Sequence, residues 1–114
     1  MCNIVMDSIE TGALRFLPEI TRRIVNISDP DQIILFGSYA RGDFHPGSDL
    51  DLLIIKDQVQ STREEAAKIY RALANLGLPV DVVVVSKAFV QRYGGLVGTV
   101  VRPALKEGRV IYAR

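Results

Sequence analysis

The stretch Ile33–Ile55, IILFGSYARGDFHPGSDLDLLII, decides how the rest of the chain is read. It opens on Ile33-Ile34-Leu35-Phe36, a continuous apolar run that suits a strand buried on both faces. Gly37-Ser38 breaks the run. Tyr39 to Ser48 contains Gly42, Pro46 and Gly47 and reads as a short turn of helix followed by a loop. A second strand follows from about Asp49 to Lys56. Side chains alternate along a strand, so Asp49 and Asp51 project from one face while Leu50 and Leu52 enter the core.

Toward the C-terminus, Thr62–Leu76 reads as a helix. Ser61 and Glu64 form a capping box, Gly77 caps the far end and Pro79 follows it. Ala66, Ile69, Tyr70, Leu73 and Leu76 make its apolar face, which assigns Tyr70 to the core. Val80–Val85 is a β-branched third strand with Asp81 one residue into it. The long helical connection predicts that strands two and three are parallel neighbours joined by a right-handed crossover. Parallel strands start at one edge, so Asp81 comes near Asp49 and Asp51. If strands one and two are antiparallel, the Gly37-Ser38 turn meets them there.

Toward the N-terminus, Leu14, Leu17, Ile20, Ile24 and Ile27 recur every three or four residues, predicting a helix over about Asp7–Ile27. Pro18 either kinks it or starts a shorter one, and Ser28-Asp29-Pro30 ends it. In the tail, Ser86 caps a short helix to Tyr93, Gly94-Gly95 is a break, and Val97–Glu107 reads as helical despite Pro103. Val110-Ile111-Tyr112 reads as a last short strand. The expected fold class is α/β (α+β), a small mixed sheet with helices packed on it.

Three carboxylates at one sheet edge repel one another and cost desolvation. Divalent cations offset both, and oxygen-only ligands suit Mg²⁺ or Mn²⁺ rather than zinc. Gly37 lets backbone approach a ligand closely. Ser38 offers a hydroxyl and an N–H at the start of the short helix, and Arg41 adds charge, with Arg102 a more distant candidate. Phosphate donors beside metal-binding carboxylates make a metal–triphosphate site, in which two ions about 3.5–4 Å apart clamp an in-line displacement. Taken singly, a Gly-Ser is a turn, an Asp-x-Asp a solvated edge and Asp81 a strand start; their order and spacing together favour the functional reading. His45 reads as a surface loop residue, Asp43 as either a neighbour of the metal site or a solvated turn carboxylate, Tyr39 as packing on the first helix rather than lining the site, and Cys2 as inert.

With 114 residues the chain is one domain's worth, 1–114, and leaves little room for a separate acceptor pocket. Lys and Arg total 14 against 13 acidic residues, so no global basicity points to direct DNA or RNA binding. One cysteine excludes an intrachain disulfide. The apolar runs are too short for a membrane span, and the first residues lack the layout of a signal peptide. These features describe a soluble, cytoplasmic protein.

The chain resembles the polymerase-β-like nucleotidyltransferase superfamily, whose pattern is a Gly-Ser turn, a short helix, an Asp-x-Asp strand and a third acidic residue on a later strand. The likeness is carried by Leu35–Asp43, Ser48–Ile54 and Val80-Asp81-Val82. Ala40-Arg41-Gly42 after the turn and Ser48 before the first Asp look like the minimal nucleotidyltransferase (MNT) group. The resemblance covers about Asp31 to Ser86. It implies that Gly37 and Ser38 hold the β- and γ-phosphates, and that Asp49 and Asp51 bind two Mg²⁺. Asp81 would bind the catalytic ion and help activate the acceptor hydroxyl. MNT proteins are often antitoxins of a helical HEPN-domain toxin, and some transfer AMP from ATP to a tyrosine of that toxin. The resemblance therefore implies a protein adenylyltransferase acting in a homo- or hetero-oligomer. Two alternatives stay open: a non-catalytic antitoxin that occludes its toxin, and a small-molecule transferase similar to antibiotic-modifying enzymes.

Overall fold

A computed structural model describes residues 12–95, 99 and 101–114. Cys2, the first helix before Gly12, and positions 97, 98 and 100 of the expected tail helix lie outside the described residues.

A 3-10 turn, Gly12–Phe16, leads into α1, Leu17–Ser28, with Pro18 in its first turn. There the missing N–H costs no hydrogen bond, so Pro18 starts a helix rather than kinking one. Ile20 and Ile24 are fully buried, but Ile27 is 42% exposed and Ser28 takes the inward place. Spacing by four from Ile20 and Ile24 reaches residue 28, not 27. A buried hydroxyl is tolerable there because Ser28 Oγ donates to Glu65 Oε2 at 2.5 Å. Asp29, in the left-handed conformation, closes the helix with its N–H on Val25 O.

The sheet has the order β3-β2-β1-β4. β1, Gln32–Phe36, pairs antiparallel with β2, Leu50–Lys56, and on its other side with β4, Arg109–Ala113. β2 pairs parallel with β3, Val80–Ser86. Between β1 and β2 lies the single turn of α2, Ser38–Arg41. The crossover from β2 to β3 is α3, Thr62–Leu73, prolonged by a 3-10 turn to Leu76. Short helices α4, Lys87–Tyr93, and α5, Val101–Glu107, follow β3.

Both sheet faces are covered, as the apolar runs predict. Ile33, Leu35, Leu50, Leu52, Ile54, Val82 and Val84 join Ile20 and Ile24 of α1 and Ile69 and Leu73 of α3 in one core. The alternate residues Ile34, Phe36, Leu53, Ile55 and Val85 meet Val101 and Ala104 of α5 on the other face. Truncating Leu52 or Ile54, both fully buried, to Ala costs about 2–5 kcal/mol.

The caps fall where the residue types place them. Ser61 Oγ accepts from the Glu64 N–H at 3.2 Å, and Ser86 Oγ from the Phe89 N–H at 3.0 Å. Arg23 ties α1 to the end of α3. It pairs with Glu19 at 2.7 Å, donates to Ala72 O at 3.0 Å and also meets Asn75. At the end of β2 away from Asp51, Glu65 receives Ser28, Lys56 at 3.0 Å and Lys68 at 3.2 Å.

Candidate active site

Gly37 joins β1 to α2 with φ 75° and ψ −155°, a conformation that L side chains rarely adopt. Its carbonyl accepts the N–H groups of Ala40 and Arg41 and so starts the helical turn. A Cβ on Gly37 would overlap Asp51 Oδ2 and lie 3.0 Å from its Cγ. The glycine thus brings the backbone against the second carboxylate of the Asp-x-Asp pair. With only four residues, α2 has a slight dipole, so an anion here depends on individual donors.

The loop back to β2 is held locally. Tyr39 is buried and stacked on Phe44 with ring centroids 4.4 Å apart, which is the packing role its sequence context implies. Ser48, also buried, exchanges hydrogen bonds with His45: each accepts an N–H of the other at 2.9 Å. His45 itself is exposed, with its ring nitrogen on Pro46 O. These contacts fix the chain just ahead of Asp49. The Leu50 N–H then donates to Pro79 O and seats β2 beside β3.

Asp49 is exposed just before β2, and Asp51 is half-buried one residue into it. Asp81 stands directly opposite Asp51 in the parallel register. The Asp51 pKa is raised, first by burial and then by the negative fields of Asp81 and Asp49, while Arg41 pulls it down. Asp51 therefore lies in the fields of Asp49 and Asp81 and against the Gly37 turn. Among the described residues, however, no three His, Cys, Asp or Glu side chains are set as a ready metal cage. Asp81 Oδ1 is instead held by the Tyr70 hydroxyl at 3.1 Å.

The donor set suits a hard divalent ion. It consists of oxygens only, and its half-buried member is already disfavoured as a lone anion, a cost that a cation removes. Gly37 leaves backbone, rather than side chain, against that member.

Arg41 pairs with Asp43 at 3.2 Å and reaches Glu107 of α5 at 3.7 Å; the Asp43 hydrogen bond raises its pKa first. It thus supports the loop while adding positive charge near Asp51. Arg102 lies on α5, where its backbone N–H meets Thr99 Oγ1.

Tyr70 corrects the sequence reading. It is 40% exposed rather than core, and its ring reaches from α3 to the edge of β3 away from β2. There its hydroxyl accepts the Val82 N–H at 2.7 Å and donates to Asp81. An apolar periodicity counts tyrosine as hydrophobic and overlooks its polar tip.

A cavity of about 480 Å³ lies at the other end of the sheet, lined by Asp31, Gln32, Ile55 and Lys87 among others. None of the three carboxylates lines it.

A model of the nucleotidyltransferase domain family matches residues 16–111. This chain belongs to the nucleotidyltransferase domain family. Two relatives of this nucleotidyltransferase come from Methanocaldococcus jannaschii. "Putative protein adenylyltransferase MJ0141" is 39% identical over 54 residues, 47% of this chain and 54% of the relative. "Putative protein adenylyltransferase MJ0604" is 35% identical over 82 residues, 71% of this chain and 77% of the relative. The chain therefore spans about half the length of the first relative and three-quarters of the second.

Among solved structures, the crystal structure of a "putative nucleotidyltransferase" from Sulfolobus solfataricus superposes with TM-score 0.66 at 20% identity, covering 94% of this chain and 87% of that one. A toxin–antitoxin structure with AMP-PNP superposes with TM-score 0.56 at 21% identity, covering 86% and 74%. At these identities the likeness establishes the fold: a mixed four-stranded sheet with packed helices in the nucleotidyltransferase arrangement.

Proposed function

We propose that this nucleotidyltransferase, a single domain over residues 1–114, transfers AMP from ATP to a hydroxyl on a partner protein. In this reading it is the cytoplasmic antitoxin of a HEPN-domain toxin, and Asp49, Asp51 and Asp81 are its metal-binding carboxylates. The observation that carries the reading is the meeting of Gly37, Asp51 and Asp81: a side-chain-free turn on one carboxylate, with a second carboxylate in register beside it. The two adenylyltransferase relatives support the donor and the reaction class. The toxin–antitoxin neighbour supports the kind of partner.

Asp49 and Asp51 would hold two Mg²⁺ ions, with Mn²⁺ a substitute, and Asp81 would complete the catalytic site. When bound, the ions neutralise triphosphate charge and polarise the α-phosphate. Gly37 and Ser38 seat the β- and γ-phosphates, and Arg41 adds charge beside them. Asp81 accepts the proton of the acceptor hydroxyl. The acceptor oxygen bonds to the α-phosphorus as the bond to the bridging oxygen breaks, and pyrophosphate leaves. Asp49 and Asp81 are exposed among the described residues, so an acceptor presented by another protein can reach them.

The test is incubation with ATP, Mg²⁺ and the product of the adjacent reading frame, read by mass spectrometry. A mass gain of one AMP on the partner, lost with Asp49→Ala, is the expected result. Unmodified partner with both proteins counts against the reading. If an Asp49→Ala, Asp51→Ala double variant still protects cells fully, the protein acts by occlusion instead. Modification of an aminoglycoside by the purified protein would revive the small-molecule reading.

A further inference from the structure

We infer that Tyr70 is a positioning residue that orients Asp81 for metal binding. The inference rests on the transferase reading and adds to it a side chain outside the Gly-Ser and Asp-x-Asp pattern. β3 is an edge strand of the described sheet, so alternate N–H groups along its outer side have no strand to pair with. The Tyr70 ring crosses to that edge and its hydroxyl accepts the Val82 N–H at 2.7 Å.

The donor inventory then fixes where the phenol proton goes. An amide N–H only donates, so the phenol oxygen must accept there, and its own proton is free to be donated. It is directed at Asp81 Oδ1, 3.1 Å away. A carboxylate held at one oxygen by a neutral donor keeps its charge and loses rotational freedom, while its other oxygen stays available. That is what an outer partner of a metal-binding carboxylate supplies. Burial does not explain this tyrosine, because it is 40% exposed while its neighbour Ile69 is fully buried.

The test uses the full chain, titrated with Mn²⁺ in the presence of AMP-PNP and followed by electron paramagnetic resonance of the free ion. Steady-state AMP transfer is measured in parallel. Four proteins suffice: wild type, Tyr70→Phe, Asp81→Asn and the double variant. Tyr70→Phe should weaken Mn²⁺ binding about tenfold or more. It should lower kcat with KM for ATP little changed, because the ring and its packing remain.

The cycle separates positioning from general support: in the Asp81→Asn background the same change should have almost no further effect on Mn²⁺ binding. Wild-type Mn²⁺ binding and kcat in Tyr70→Phe, with only the thermal midpoint lowered, would overturn the inference. So would an equal loss in both backgrounds. Asp51→Asn distinguishes the underlying reading. If wild type and Asp51→Asn bind Mn²⁺ alike and neither transfers AMP, the transferase reading fails and this inference falls with it.

Discussion

Asp51 and Asp81 stand directly opposite each other on adjacent parallel strands, both negative, at the start of the β2–β3 pair. Like charges in this position weaken a sheet. The Asp51 pKa records the conflict, being raised by burial and then by Asp81 and Asp49. A cation bound here, as proposed for this site, would relieve that conflict.

Asp51→Asn should therefore raise the metal-free stability while removing function. An acid whose folded pKa is raised binds its proton more tightly in the native state, so its ionised form opposes folding. That penalty is absent below the ordinary carboxylate value and grows as pH rises through the raised one. Because Asp51 is only half-buried, solvent screening limits the gain at pH 7 to no more than about 1 kcal/mol. Mg²⁺ should raise the wild-type midpoint and not the variant's, by calorimetry. Transfer should fall by more than the roughly 10–100-fold that outer partners of metal ligands typically cost.

Gly37→Ala should damage both stability and activity. Its backbone conformation costs an alanine about 1–3 kcal/mol, and the new methyl collides with the Asp51 carboxylate. Gly47 provides the comparison: its φ is also positive, at 93°, but a Cβ there meets nothing within 4 Å. Gly47→Ala should lose stability alone and keep transfer, so denaturant midpoints and rates measured together separate backbone strain from damage to the site.

Glu65→Gln should flatten the acid side of the stability curve. Burial pushes the Glu65 pKa up, but hydrogen bonds from Ser28, Lys56 and Lys68 outweigh it and leave the value lowered. Its contribution is therefore present above the ordinary glutamate pKa near 4.5 and is lost as pH falls through the lowered folded value. Above pH 6 the substitution should cost about 1.5–3 kcal/mol, the range for hydrogen bonds to charged groups. Below the lowered folded value the difference should nearly vanish, and urea unfolding followed from neutral pH into acid reads the loss.

Arg41→Ala should separate binding from folding. Its ion pairs with Asp43 and Glu107 are exposed, so their loss should leave stability nearly unchanged. A charge-assisted contact to phosphate is worth more, and KM for ATP should rise about tenfold. An unchanged KM would confine Arg41 to supporting the loop.

Much of this was legible in the residues themselves. The β-branched and apolar runs identify β1, β2 and β3, because a strand buried on both faces has no polar alternation to blur it. Ser61 and Ser86 mark two helix starts through the same hydroxyl-to-amide geometry. The helical link between Lys56 and Val80 dictates the parallel pair that sets Asp81 beside Asp51. What escaped were side chains whose role depends on tertiary neighbours. Ser28 looks like a terminator until Glu65 is beside it. Ile27 looks buried until the helix phase is known. Tyr70 looks like core because no periodicity can report that its hydroxyl reaches an amide twelve residues along.

The tyrosine that crosses to β3 also acts as a guard. Val80–Ser86 is rich in valine and lies at the margin of the sheet, the kind of segment on which a foreign chain can register amide by amide. By occupying the Val82 amide, Tyr70 denies an incoming strand one of its anchoring positions. One phenol thus holds the Asp81 carboxylate and shields the sheet margin at Val82, and a sequence drifting away from catalysis would still have cause to keep it.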